Sequence, residues 1–170
     1  KANKSNKAIK YRLYPNDEQK VMFAKTFGCC RFVYNQLLAL QKQRYKDGES
    51  HLSKLKSNEF ATRTLKKDYD FLKEIDKFAV SNAVFHLADA YDRFFKKQNH
   101  FPKFKSKRKS KKSYTTNFTN NNILIGKNVI KLPKVGMVKA VIHKLPKDDW
   151  KLKSVTVSQD GVGNYFASVL

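Results

Sequence analysis

Ile9-Lys10-Tyr11-Arg12-Leu13-Tyr14-Pro15-Asn16-Asp17-Glu18-Gln19 changes its periodicity within a few residues, and the architecture follows from that change. Ile9, Tyr11 and Leu13 alternate with Lys10, Arg12 and Tyr14, the two-residue repeat of a half-buried strand with a basic outer face. Pro15 ends the strand. Asn16 then stands as a helix cap, with Gln19 at the position that reaches back to it, and Met22, Phe23 and Phe27 supply an apolar side. Gly28 reads as a stop, and a second helix is expected from Cys29 to about Lys46, where Asp47-Gly48 breaks it. The two would form a helical hairpin.

Ser53 is placed to cap a third helix running through Phe60 and Leu65, with residues 70–76 as a connection. The fourth helix has the clearest stripe, Val80, Val84, Leu87, Tyr91 and Phe94, spaced to pack against other helices. Lys77, Ser81 and Asn82 near its start lie off that stripe and are available for contacts. From residue 123 onward the period returns to two. Residues 123–125 and 129–132 flank the turn Gly126-Lys127-Asn128, residues 137–144 form a further strand, and residues 152–158 and 164–170 frame Asp160-Gly161-Val162-Gly163. A strand before the helices and strands after them are economically joined in one sheet. The expected fold is α+β: an antiparallel β-barrel interrupted by an inserted bundle of about four helices. Its segments are 1–15 (first strand), 16–100 (helices), 101–113 (basic connection) and 114–170 (remaining strands).

Charge narrows the function. The chain carries 36 basic and 14 acidic residues, a formal charge of +22 over 170 residues, which disfavours compaction unless a polyanion compensates it. The excess peaks in the connection, where seven of the eleven residues from 103 to 113 are basic: Lys103, Lys105, Lys107, Arg108, Lys109, Lys111 and Lys112. Such a run repels itself and neutralises rows of phosphates, and Lys10 and Arg12 extend the basic surface. Phe101 and Phe104 at its start suit either base stacking or anchoring to the fold. No apolar run of membrane-spanning length is present, and Lys1-Ala2-Asn3-Lys4-Ser5-Asn6 precedes no signal core, so a cytoplasmic protein is expected.

Recognised catalytic motifs are missing: there is no GxxxxGK[ST], GxSxG or HExxH. Asp89 with Asp92, and Asp148 with Asp149, are flanked by basic residues and read as solvated ion-pair partners. Cys29 and Cys30 are adjacent, and His51, His86, His100 and His143 are scattered, so no metal site is expected. Residues 113–122, dominated by Ser, Thr and Asn, read either as a polar turn or as amides and hydroxyls that contact base edges.

Several motifs together resemble a known family: IKYRLYP (residues 9–15), GCCRFVYN (28–35), FPKFK (101–105), NFTNNNI (117–123), LPKVG (132–136) and SVTVS (154–158). In this order they are similar to the N-terminal half of TnpB, the transposon-encoded RNA-guided DNA endonucleases related to compact type V CRISPR effectors. The resemblance implies a wedge-type β-barrel interrupted by a helical recognition domain. It implies binding of guide RNA, of the guide–target duplex and of a short target-adjacent DNA motif. Motif-reading positions would be Lys77, Phe78 and Ser81, with Asn82 beside them, Thr119 and Asn120, and Lys54 and Asn58. Ser81 stands where a Gln is expected and Lys54 where an aromatic is expected, so the resemblance implies that a motif is read without giving its sequence. The RuvC-like carboxylates that bind Mg²⁺ and the zinc-binding segment would follow Leu170, and Lys1 in place of an initiating Met suggests part of a longer chain. That nuclease half would be a further partner, and the protein would associate with the nucleoid when bound to DNA. Two other classes fit the charge: a helix-turn-helix repressor or transposon accessory protein using the first two helices, and a general structured-RNA-binding protein.

Overall fold

The computed structural model describes residues 7–170, and the N-terminal hexapeptide lies outside the described residues. Residues 7–24 and 111–170 form one compact unit, and residues 25–110 form a second.

The first unit is built on a seven-stranded antiparallel sheet: β1 (Ile9–Tyr14), β2 (Lys112–Asn117), β3 (Leu124–Ile125), β4 (Val129–Leu132), β5 (Gly136–Val141), β6 (Ser154–Gln159) and β7 (Tyr165–Val169), in the order β2-β6-β7-β1-β5-β4-β3. β1 sits centrally, pairing Tyr11 with Ala167 of β7 and Arg12 with Val141 of β5. The alternation expected for it holds: Ile9, Tyr11 and Leu13 are buried, while Lys10 and Tyr14 are exposed. The sheet is not closed into a barrel, contrary to expectation, because β2 and β3 are edges with a single ladder each.

β2 was not expected. In Ser113-Tyr114-Thr115-Thr116-Asn117, Tyr114 and Thr116 are buried, and Thr115 exchanges a hydroxyl hydrogen bond of 2.8 Å with Thr156 of β6. β-branched Thr fits a pleated surface as well as Val does, but its polarity hides the alternation.

Helix α1 (Asp17–Lys46) is one continuous helix of 30 residues, so the expected stop at Gly28 and the helical hairpin it would form are corrected. A glycine inside a helix costs only about 1 kcal/mol against alanine. Phe23, Phe27, Cys30, Val33, Leu37 and Leu38 are all buried on either side of Gly28, and that packing outweighs the cost. The start is capped as expected: the Asn16 amide donates to Gln19 Oε1 (3.0 Å) and the Gln19 amide to Asn16 Oδ1 (2.8 Å). Gln19 Nε2 also donates to the Met137 carbonyl of β5 (2.8 Å), and Phe23 packs on Tyr165 and Tyr114, which fixes the first turns of α1 to the sheet.

In the second unit, α2 (Lys54–Glu59) begins at Ser53, whose Oγ accepts from the Lys56 amide, and runs through a π-helical stretch (Phe60–Leu65) into α3 (Lys66–Asp68). A 3₁₀ turn (Asp70–Glu74) leads to α4 (Lys77–Phe95), whose Val80, Val84, Leu87 and Tyr91 are buried as the stripe predicts. No helix among the described residues is long and apolar enough to cross a membrane.

Candidate nucleic-acid interface

The basic segment is a fixed element. Phe101 packs edge-on against Phe94 and Tyr91, with centroids 5.1 and 5.5 Å apart, and Pro102 is buried. Lys42 Nζ lies 4.5 Å from the Phe104 ring centroid. Asn35 of α1 then clamps the main chain: its Oδ1 accepts from the Lys105 amide (2.8 Å) and its Nδ2 donates to the Lys105 carbonyl (2.9 Å). Past the clamp, Ser106 and Ser110 tie a single turn, the Ser106 amide donating to Ser110 Oγ (2.9 Å) and the Lys109 amide to Ser106 Oγ (3.1 Å). This turn presents Lys107, Arg108 and Lys109, all exposed. These contacts tie Phe101 to α4, while Phe104 remains 52% exposed beside Lys42.

Not every expected cation is presented. Lys105 is half-buried, with Nζ 4.2 Å from the Tyr34 ring centroid, and burial pulls its pKa down, partly countered by Cys30. Arg12 donates from Nη2 to Asn164 Oδ1 (2.7 Å) and lies over the Tyr14 and Phe166 rings. Lys10 is exposed, with its ammonium 4.5 Å from Phe166. Lys103, Lys111 and Lys112 are exposed.

The Asn-rich run ends in a tight turn. Asn120 and Asn121 both adopt left-handed backbone, φ 47° and 56°, and the Asn122 amide closes onto the Thr119 carbonyl (3.0 Å). Two consecutive positive φ values make a type I′ turn, which Asn tolerates better than most residues. Asn122 spends its side chain internally, accepting from the Thr119 amide (2.8 Å) and donating to the Asn117 carbonyl (2.9 Å). Thr119, Asn120 and Asn121 are left exposed at the tip.

In the helical unit, Asp76 is the N-cap of α4, accepting from the Phe78 amide (3.0 Å), and Lys77 is exposed on the first turn. Phe78, Ser81 and Asn82 are half-buried and continue along one face to Phe85. Lys54 joins that face, its Nζ 4.5 Å from the Phe85 ring centroid, while Asn58 Oδ1 is buried without a hydrogen-bond partner. Sequence reasoning missed Phe85, and it missed Lys66, whose pKa is lowered by burial first and by nearby Lys77 second. The signal for Phe85 is its seven-residue spacing from Phe78; the Lys66-Lys67 pair marks the second.

Among the described residues, no group of three His, Cys, Asp or Glu is placed to hold a metal ion, and Asp89 and Asp92 are exposed.

Residues 5–50 match a family model described as a helix-turn-helix domain; in this chain the described part of that span holds β1 and the continuous α1. A putative RNA-guided DNA endonuclease of Streptomyces pristinaespiralis is 31% identical over 166 residues, covering 96% of this chain and 41% of that protein. The putative RNA-guided DNA endonuclease InsQ of Escherichia coli (strain K12) is 30% identical over 106 residues, 59% of this chain and 25% of that protein. The virulence protein VsdF of Salmonella dublin is 32% identical over 111 residues, 59% of this chain and 93% of that protein. The chain thus spans about two fifths of the length of the Streptomyces relative. With the motifs of residues 9–158 in family order and these similarities, the chain belongs to the TnpB family and corresponds to the N-terminal part of its members.

Proposed function

We propose that this chain is the nucleic-acid recognition part of an RNA-guided DNA endonuclease, holding guide RNA and the guide–target duplex and reading a short DNA motif beside the target. The observation that carries this is the Lys107-Arg108-Lys109 turn: three exposed cations held by the Asn35 clamp and the Ser106–Ser110 turn. A preordered cationic turn binds phosphates without first being immobilised. Lys103, Lys111 and Lys112 add backbone contacts. Asn120 has the side-chain chemistry to bond adenine N6 and N7 together, and it is exposed in its turn. Lys77, at the N-terminus of α4, adds its charge to the helix dipole and suits a phosphate, leaving Phe78, Ser81, Asn82, Lys54 and Asn58 to meet bases. Cleavage, with its Mg²⁺ and structural zinc, belongs to the nuclease half of such proteins, and the working location is the cytoplasm and nucleoid.

The test is selection from a duplex DNA library with a randomised window, with and without a bound structured RNA. Enrichment of a short motif that Asn120→Ala relaxes is the expected result. Equal recovery of all sequences by both proteins would refute motif reading.

A further inference from the structure

One pocket of the helical unit shares only Asn35 with the interface above, and the Asn35 amide is already spent on the Lys105 main chain. Phe71 and Tyr69 are 43% and 36% exposed, which is costly for rings of that size. Phe32 of α1 holds them edge-on, with centroids 5.2 and 4.8 Å away. Phe32 and Phe71 line a pocket of about 560 Å³ together with Gly28, Arg31, Gln36 and Glu74. That volume falls within the range of about 300–1,000 Å³ typical of small-molecule sites.

Gly28 supplies an independent observation. A Cβ added there would meet only Arg31 Nη2, at 3.8 Å, an ordinary contact, and its backbone is helical. Nothing in the packing therefore requires glycine in the middle of α1, where alanine would be more stable. A glycine that the fold does not need is accounted for by close approach of something else to the backbone. Arg31 beside it has no carboxylate partner among the described residues, whereas Glu74 is paired with Lys25 at 3.6 Å. The site thus combines flat aromatic surface, bare helix backbone, a free guanidinium, and an amide and a carboxylate that can meet base edges.

We propose that this pocket receives one unstacked nucleotide of a nucleic-acid strand, its base against Phe71 and Phe32 beside Gly28 and its phosphate at Arg31. The proposal rests on the reading that the chain binds nucleic acid, but on residues separate from the basic turn. A strand is favoured over a free nucleotide because a single guanidinium offers a weak hold on an isolated phosphate. The long-range field of a chain with 22 excess positive charges acts on a polyanion. Base–aromatic stacking is tolerant of sequence, so the pocket would accept any base with a π face.

The experiment is fluorescence anisotropy on the whole chain with two probes: a labelled single-stranded oligonucleotide of mixed sequence, and the same backbone made abasic. Phe71→Ala is expected to weaken binding of the first probe by between about five-fold and a hundred-fold, the range for loss of one stacked base, and to leave the abasic probe unchanged. Gly28→Ala is expected to raise the melting temperature while weakening only the base-bearing probe, an opposition of signs that damage to the fold cannot produce. If the wild-type chain binds both probes and these variants match it, or if a variant weakens both probes equally, the pocket assignment is wrong and the general reading stands. If the wild-type chain binds neither probe, both fail. Displacement of the strand by adenosine monophosphate at equal concentration would overturn the choice of a strand nucleotide.

Discussion

Asn35→Ala removes the clamp on the basic segment without altering the charge of the protein. Asn35 and Lys105 are 70 residues apart in sequence, and their two hydrogen bonds of 2.8 and 2.9 Å are a main-chain attachment between α1 and the segment. A typical intramolecular hydrogen bond contributes about 0.5–1.5 kcal/mol net, so losing both costs about 2 kcal/mol, with the half-buried Lys105 amide and carbonyl left to water or to nothing. With a urea m-value of about 2 kcal/mol/M, the unfolding midpoint falls by about 1 M. Affinity for RNA also falls, because the freed turn must be ordered again on binding. The slope of log affinity against log salt stays unchanged, since the same number of phosphates is neutralised once the complex forms. Urea denaturation followed by circular dichroism, and anisotropy across a salt series, measure the two quantities. An unchanged midpoint, or a slope that drops with the affinity, would refute the clamp.

Replacing Lys107, Arg108 and Lys109 together with Ala removes about three phosphate contacts and should flatten the salt slope by about 2 to 3, for all sequences alike. Lys105→Ala should move that slope less than any one of the three, because its ammonium lies over Tyr34; salt-dependent anisotropy separates the cases. Asn120→Ala should cost about 1–3 kcal/mol at a single base position in competition binding, and equal weakening at every sequence would show that Asn120 contacts only backbone. Burial first and Cys29 second push the Cys30 thiol up to about 12, so it is almost wholly protonated at pH 8. Its labelling in the folded protein should therefore rise about tenfold per pH unit, and rapid labelling at pH 8 without unfolding would contradict the buried site.

What sequence could show followed from how local each interaction is. The two-residue alternation of β1 and the Asn16–Gln19 cap are set by neighbours and were legible directly. β2 was concealed because its buried face is made partly of Thr116, and hydropathy does not distinguish a Thr packed in a sheet from one in a turn. Gly28 misled because a local propensity was outweighed by packing on both sides of it. Closure of a barrel depends on whether the two end strands pair, a contact that no local period reports, and β2 and β3 remain edges. In the interface, Lys105 and Lys107 are the same residue type two positions apart, yet one lies over Tyr34 and the other is exposed. That difference is imposed by Asn35, a contact too distant in sequence for any periodicity to reveal. The cationic run itself was plain; which of its members face a ligand was not.

The most direct test of the central claim is the affinity of the chain for a structured RNA measured from low to physiological salt. Preordered cations at Lys107, Arg108 and Lys109, with Lys103, Lys111 and Lys112, predict a steep linear fall in log affinity, with a slope of about −3 or steeper. A flat response, or no binding at low salt, would contradict a nucleic-acid recognition role for this chain.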